Sequence, residues 1–222
     1  MSARTLAILV CLLIQGPHLA GAESAGRKAR QLVVYLKTDP GQSLQTIVGM
    51  KDEASALLSA AGYTLSWRSI GGSNLDAGDA ALVVIELRGV CKAPQPAAPV
   101  YPLASGDRLA STAVVNGQVI PYSQLECENL TRLLGPSLSK EASGRRTFLY
   151  GRAMGRLVAH EIFHALVKTG DHDAGGIAKR SFSLNDVLAE RFEFGPTALD
   201  RIRDSDGFPA ATDNLESGAS GR

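Results

Sequence analysis

Charge imbalance is missing from this 222-residue chain, in which 23 lysines and arginines face 22 acidic residues. A nucleic-acid binder carries a basic stripe or patch, so that class of partner is excluded. Long apolar runs are missing too. The candidate, Leu6 to Ile14, is well short of the roughly 20 residues that span a bilayer. Arg4 is the only charge before Glu23, and Ala20-Gly21-Ala22 follows the run. Charged start, short apolar centre and small-residue exit are the layout of a secretory signal peptide rather than a membrane anchor. Residues 1–22 are therefore expected to be removed, leaving a secreted or periplasmic protein with no membrane segment.

Cysteine is scarce. Of three, Cys11 leaves with the signal peptide, and Cys91 and Cys127 remain. In an oxidising compartment such a pair reads as a disulfide, worth about 2–4 kcal/mol, against the alternative of two buried free thiols. No serine or cysteine has the setting of a nucleophile with a spare histidine, and Gly71-Gly72 lacks the context of a phosphate loop. Internal repeats are absent.

Histidine is equally scarce but concentrated. Of four, His18 belongs to the signal peptide, and His160, His164 and His172 fall within 13 positions.

Between a polar leader at 23–30 and a Gly/Ser/Asp-rich tail at 205–222, expected to be disordered, residues 31–204 read as one domain. Leu32 to Leu36 is a buried strand. A helix capped by Ser43 follows, with Leu44, Ile47, Val48, Leu57, Leu58 and Ala61 on one face, ended by Gly62. Thr64 to Ile70 and Leu82 to Ile85 are further strands. Asn116-Gly117 between β-rich runs predicts a hairpin with a type I′ turn. Ser123 caps a predicted helix that Gly135-Pro136 ends. A long helix from near Arg146 carries the histidines, and a shorter one spans about Leu184 to Phe194. The order gives an α/β (α+β) class: helices packed on a twisted mixed sheet.

His160-Glu161-Ile162-Phe163-His164 has the HExxH spacing. On a helix, residues i and i+4 share a face, so both imidazoles reach one ion. Glu161, one position along, points beside the ion and can act as a general base. The third ligand is open between His172, beyond Gly170, and Glu190 on the following helix, with Asp171 and Asp173 also near. Neutral imidazole favours His172. Asp171, Asp173 or Asp186 could orient a ligand imidazole. Tyr101, Tyr122 and Tyr150 are candidate auxiliary donors, each with packing as its competing role.

His160-Glu161-x-x-His164 followed by His172 resembles the metzincin group of zincin peptidases over roughly residues 31–180. The resemblance is nearest to short secreted bacterial proteins with HExxH, seven residues, His, then a Gly-Ile segment such as Gly176-Ile177. It departs from the standard pattern at Val167 and Gly170, and no methionine follows Met154. The resemblance implies a zincin-like upper lobe, a small C-terminal lobe, a Zn2+ ion on His160, His164 and His172, and Glu161 as catalytic base. The implied activity is hydrolysis of a peptide or protein substrate, with the Ser111 to Ile120 hairpin as the candidate segment to align it and a plain structural hairpin as the favoured competing role. The alternative is a non-catalytic metal-binding or interaction module of the same fold. Oligomeric state is left open.

Overall fold

Apolar β-formers at Leu32 to Leu36 build the central strand β1 (Arg30–Thr38), buried on both faces. The computed structural model describes residues 29–70, 81–96, 103–104 and 106–205. The expected signal peptide, the leader before Ala29, Gly71-Gly72, Tyr101 and the tail beyond Ser205 lie outside them. Helix α1 (Leu44–Ala60) follows, its first turn capped by the Ser43 hydroxyl, which accepts from the Thr46 N–H. Then come β2 (Tyr63–Ser69), β3 (Leu82–Arg88) and the hairpin of β4 (Ala110–Val115) and β5 (Gln118–Glu126). Asn116 and Gly117 both take positive φ, 51° and 77°, as a type I′ turn requires.

The sheet order is β2-β1-β3-β5-β4. β2, β1, β3 and β5 run parallel, and only β4 at the edge is antiparallel. The β4–β5 register shifts between Thr112 and Val114, opposite Pro121, which has no N–H to give to a ladder. Leu32, Val34, Leu36, Val83, Ile85 and Leu87 form the core-facing side.

Two elements depart from expectation at this level. β5 continues to Glu126 because Tyr122 to Glu126 pair with β3, so Ser123 is a buried strand residue and not a helix cap. The helix α2 (Cys127–Leu138) starts later and runs through Pro136, whose missing N–H interrupts one helical bond without ending it. Cys91 and Cys127 stand as a disulfide pair, Cα atoms 4.9 Å apart.

The 25-residue helix α3 (Ser143–Val167) is buried almost throughout from Leu149 to Leu166. It lies against α1 at a distance only glycine permits. A Cβ on Gly151 would stand 2.8 Å from the Thr46 carbonyl oxygen, and one on Gly155 would stand 2.7 Å from that of Met50. This contact fixes the rotation of α1: Thr46, Met50, Ala54, Leu57 and Leu58 turn inward, while Leu44 and Val48 face solvent, contrary to expectation. Gly155→Ala is accordingly expected to cost about 1–3 kcal/mol in urea unfolding, since backbone rather than a flexible side chain blocks the methyl group.

Beyond α3 the expected single helix is only α4 (Leu184–Leu188), closed by a capping box between Ser183 and Asp186. A further helix, α5 (Pro196–Asp204), opens with Pro196 and buries Ala198 and Ile202. Arg30 closes the domain by donating to the carbonyls of Ile202 and Ser205 at 2.7 and 2.6 Å.

Candidate metal centre

Arg152, Arg156, His160 and His164 recur every four residues, so they form one ridge of α3. The segment from Thr169 to Glu190 is fastened to that ridge through its backbone carbonyls. Arg152 donates to Leu188 O (2.7 Å), and Arg156 to Asp186 O (2.8 Å) and to the Glu53 carboxylate (2.8 Å). The Nδ1 of His160 lies 2.6 Å from Ile177 O and that of His164 lies 2.7 Å from Thr169 O.

A carbonyl can only accept, so both histidines carry their proton on Nδ1 and present a bare Nε2. These two Nε2 atoms face each other at 3.0 Å. Two lone pairs at that separation repel unless a cation sits between them. His172 completes the group: one nitrogen from each ring lies within 4.8 Å of the other two. The His172 Nδ1 is buried without a hydrogen-bond partner. A tetrahedral ion bonded at 2.0–2.1 Å spaces its nitrogen ligands about 3.3 Å apart; the His160–His164 pair at 3.0 Å is near that spacing, and the group as a whole, within 4.8 Å, has to draw together to bind one such ion. The three histidines can therefore hold a metal ion.

Glu190 is elsewhere. It borders a separate pocket with Glu53 and Arg156, and its backbone carbonyl accepts from Arg156. Of the aspartates considered as imidazole-orienting groups, none bonds a histidine. Asp171 accepts from the Thr169 hydroxyl, Asp173 pairs with Arg201 at 2.9 Å, and Asp186 serves the capping box and Lys179. Backbone carbonyls do that work because the chain reverses twice. Lys168, at φ 53°, caps α3 in the left-handed conformation, two residues before Gly170. Gly176, at φ 67°, then turns the return strand, where any Cβ would stand 2.5 Å from the Glu193 carbonyl. Lys168→Gly is expected to raise stability by about 1 kcal/mol by removing the cost of left-handed backbone, measurable as a higher urea midpoint.

His160, Glu161 and His164 are only 8%, 5% and 6% exposed. The Glu161 carboxylate is not among the converging ring nitrogens. Its Oε2 accepts from the Thr112 hydroxyl of β4 at 2.6 Å, and that hydroxyl is 2.8 Å from Ser123 Oγ on β5. Because Thr112 donates to the carboxylate, Ser123 donates to Thr112. Nothing in local sequence signals this contact across 49 positions. Burial pushes the Glu161 carboxyl up to about 7, with the Thr112 hydrogen bond and nearby Arg108 pulling the other way. Burial also lowers His160 to about 4, and lowers His164 and His172.

These shifts act oppositely on stability. A histidine depressed from 6.5 to about 4 makes the folded metal-free protein lose stability as pH falls through that window. Glu161, raised from 4.5 to about 7, loses its contribution as pH rises through an overlapping window. In metal-free Glu161→Gln the histidine effect is no longer opposed by that carboxyl, and lowered carboxylates such as Glu86 act in the same direction as the histidines. The variant's stability is expected to fall by roughly 3 kcal/mol from pH 7 to pH 4 on account of His160 alone. Urea unfolding across that range measures it, and a flat profile in the variant would contradict buried neutral imidazoles.

The site opens into a cleft of about 580 Å³, with β4 along one wall and Thr169 to Phe182 along the other. Phe182 stands edge-on against His160, ring centroids 5.2 Å apart. The candidate donors Tyr122 and Tyr150 are elsewhere: Tyr122 bonds the Glu86 carboxylate, and Tyr150 is buried against Thr131 and Cys127 O. Among the described residues no helix is long and apolar enough to cross a membrane. No family model matches the chain, and a search of curated proteins finds no match.

Proposed function

We propose that this chain is an exported zinc-dependent peptidase of zincin-like architecture, with His160, His164 and His172 as the metal ligands and Glu161 as the general base. The observation that carries the reading is a buried carboxylate beside, but not among, three converging imidazoles. A site whose only task is to hold an ion has no need of an acid buried at its edge, where desolvation costs free energy. The parallel sheet, its single antiparallel edge strand and the HExxH helix beneath support the architecture. The disulfide pair supports export.

Zinc on these three histidines would supply a Lewis acid and a water of lowered pKa. The chain's own residues supply the rest. The carbonyls of Ile177 and Thr169 hold two imidazoles in the ligating tautomer. Thr112 fixes one oxygen of Glu161, whose side chain lines the cleft, and among the described residues the other oxygen has no hydrogen-bond partner. With a carboxyl range near neutrality, Glu161 accepts a proton from water attacking the scissile carbonyl and delivers it to the leaving amine. The outer edge of β4 offers backbone groups to an extended peptide, which would join the sheet as one more strand.

The test is elemental analysis of the purified protein together with a peptide-cleavage screen. One zinc per chain and chelator-sensitive cleavage are expected. Zinc without cleavage of any peptide would overturn the peptidase reading in favour of a metal-binding module, and absence of zinc after reconstitution would overturn both.

A further inference from the structure

The charges lining the cleft are not balanced where they face its interior. Asp107 is neutralised by Arg132 at 3.2 Å and also accepts from the Ala104 N–H. Lys179 is neutralised by Asp186 at 2.6 Å. Arg108 and Arg180 also line the cleft, both exposed, and among the described residues neither guanidinium has an acidic partner or a hydrogen bond. Arg108 precedes β4, on the wall that carries Thr112, and is near enough to act on Glu161. Arg180 lies on the opposite wall, near enough to act on His172. Among the described residues the one other acid lining the cleft is Glu161 itself, committed to Thr112. Asp171, close by, is turned onto the Thr169 hydroxyl.

Two unpaired guanidiniums on facing walls, with the metal centre between them, make the cleft a cationic slot. Resting on the peptidase reading, we propose that the cleft selects acidic peptides, Arg108 and Arg180 each pairing with a substrate carboxylate beside the scissile bond. Arginine suits this role because its planar fork meets a carboxylate with two parallel hydrogen bonds. The apolar wall of Leu109, Leu133 and Leu157 accommodates an uncharged side chain between the two anchors.

The test uses zinc-loaded Glu161→Gln, which holds substrate without turning it over. Three short fluorescent peptides are compared by anisotropy at low salt, alike except that glutamate, glutamine or lysine flanks a central leucine. The glutamate peptide is expected to bind about five- to tenfold more tightly than its glutamine counterpart, as two solvent-facing ion pairs allow. Added salt should erode the preference. Arg108→Glu and Arg180→Glu, each made in the same background, should each remove most of it. Equal binding of the three peptides, binding of none, or a preference that survives both substitutions would overturn the proposal. Cleavage of the same peptides by the unsubstituted zinc protein separates the two claims. Turnover without charge preference defeats the specificity alone. Arginine-dependent binding without turnover defeats the peptidase reading and leaves an acidic-peptide site.

Discussion

Replacing His172 with alanine is expected to empty the metal site, while Glu190→Ala leaves it loaded. The two residues were rival third ligands on sequence grounds, and their surroundings now differ in kind. His172 brings a ring nitrogen to within 4.8 Å of those of His160 and His164. Glu190 lines another pocket, beside Glu53 and Arg156. Loss of an outer-shell partner alone lowers metal affinity about 10–100-fold, so loss of a direct ligand is expected to exceed about 100-fold. Competition with a chromogenic chelator reads the affinity of both variants. The fold should survive, because His172 is only partly buried and makes no hydrogen bond through its Nδ1. A metal-free Glu190→Ala protein would reverse the assignment.

The parts of this molecule visible in sequence are those governed by short repeats. The spacing of His160 and His164 follows from helical period alone, and the gathering of the remaining histidine needs only counting. The hairpin was legible because Asn116-Gly117 has one favoured use between strands. What failed were inferences needing a partner far along the chain. Leu44 and Val48 look like core positions by period, yet α1 is rotated by the contact of Gly49 with Gly151, and glycine carries no hydrophobic signal. Ser123 looks like a cap until β3 claims the next residues for the sheet. The helix from Pro196 was hidden by its polarity, with Ala198 and Ile202 its only buried side chains.

The same division runs through the site. Which residues are candidate ligands is a local matter, but the groups that orient them are not. Carboxylates were the reasonable expectation for that role, since Asp171, Asp173 and Asp186 are all nearby in sequence. Their commitments to Thr169, Arg201 and Lys179 release the task to the carbonyls of Ile177 and Thr169. Those carbonyls reach the imidazoles only because Lys168 and Gly176 take positive φ. A backbone carbonyl has no residue signature, so no reading of residue types could have chosen it.

Glu161→Gln carries the other large expected effect, a loss of peptide cleavage with metal content unchanged. The amide keeps the shape of the carboxylate and can still accept the Thr112 hydrogen bond, so the buried Thr112–Ser123 link need not break. It also removes the cost of burying an ionisable group, so the variant should be no less stable at neutral pH. What it cannot do is take a proton from water and return it to a leaving amine. Positioned acid–base groups contribute about 10²–10⁴-fold, and a drop in kcat of that size is the expected reading. Because the carboxylate is not among the converging ligand atoms, elemental analysis should find as much zinc in the variant as in the unsubstituted protein. Zinc lost together with activity would mean that Glu161 belongs to the coordination sphere. Activity retained would mean that another group moves the proton, and the cleft wall of Thr169 to Phe182 would be the place to look for it.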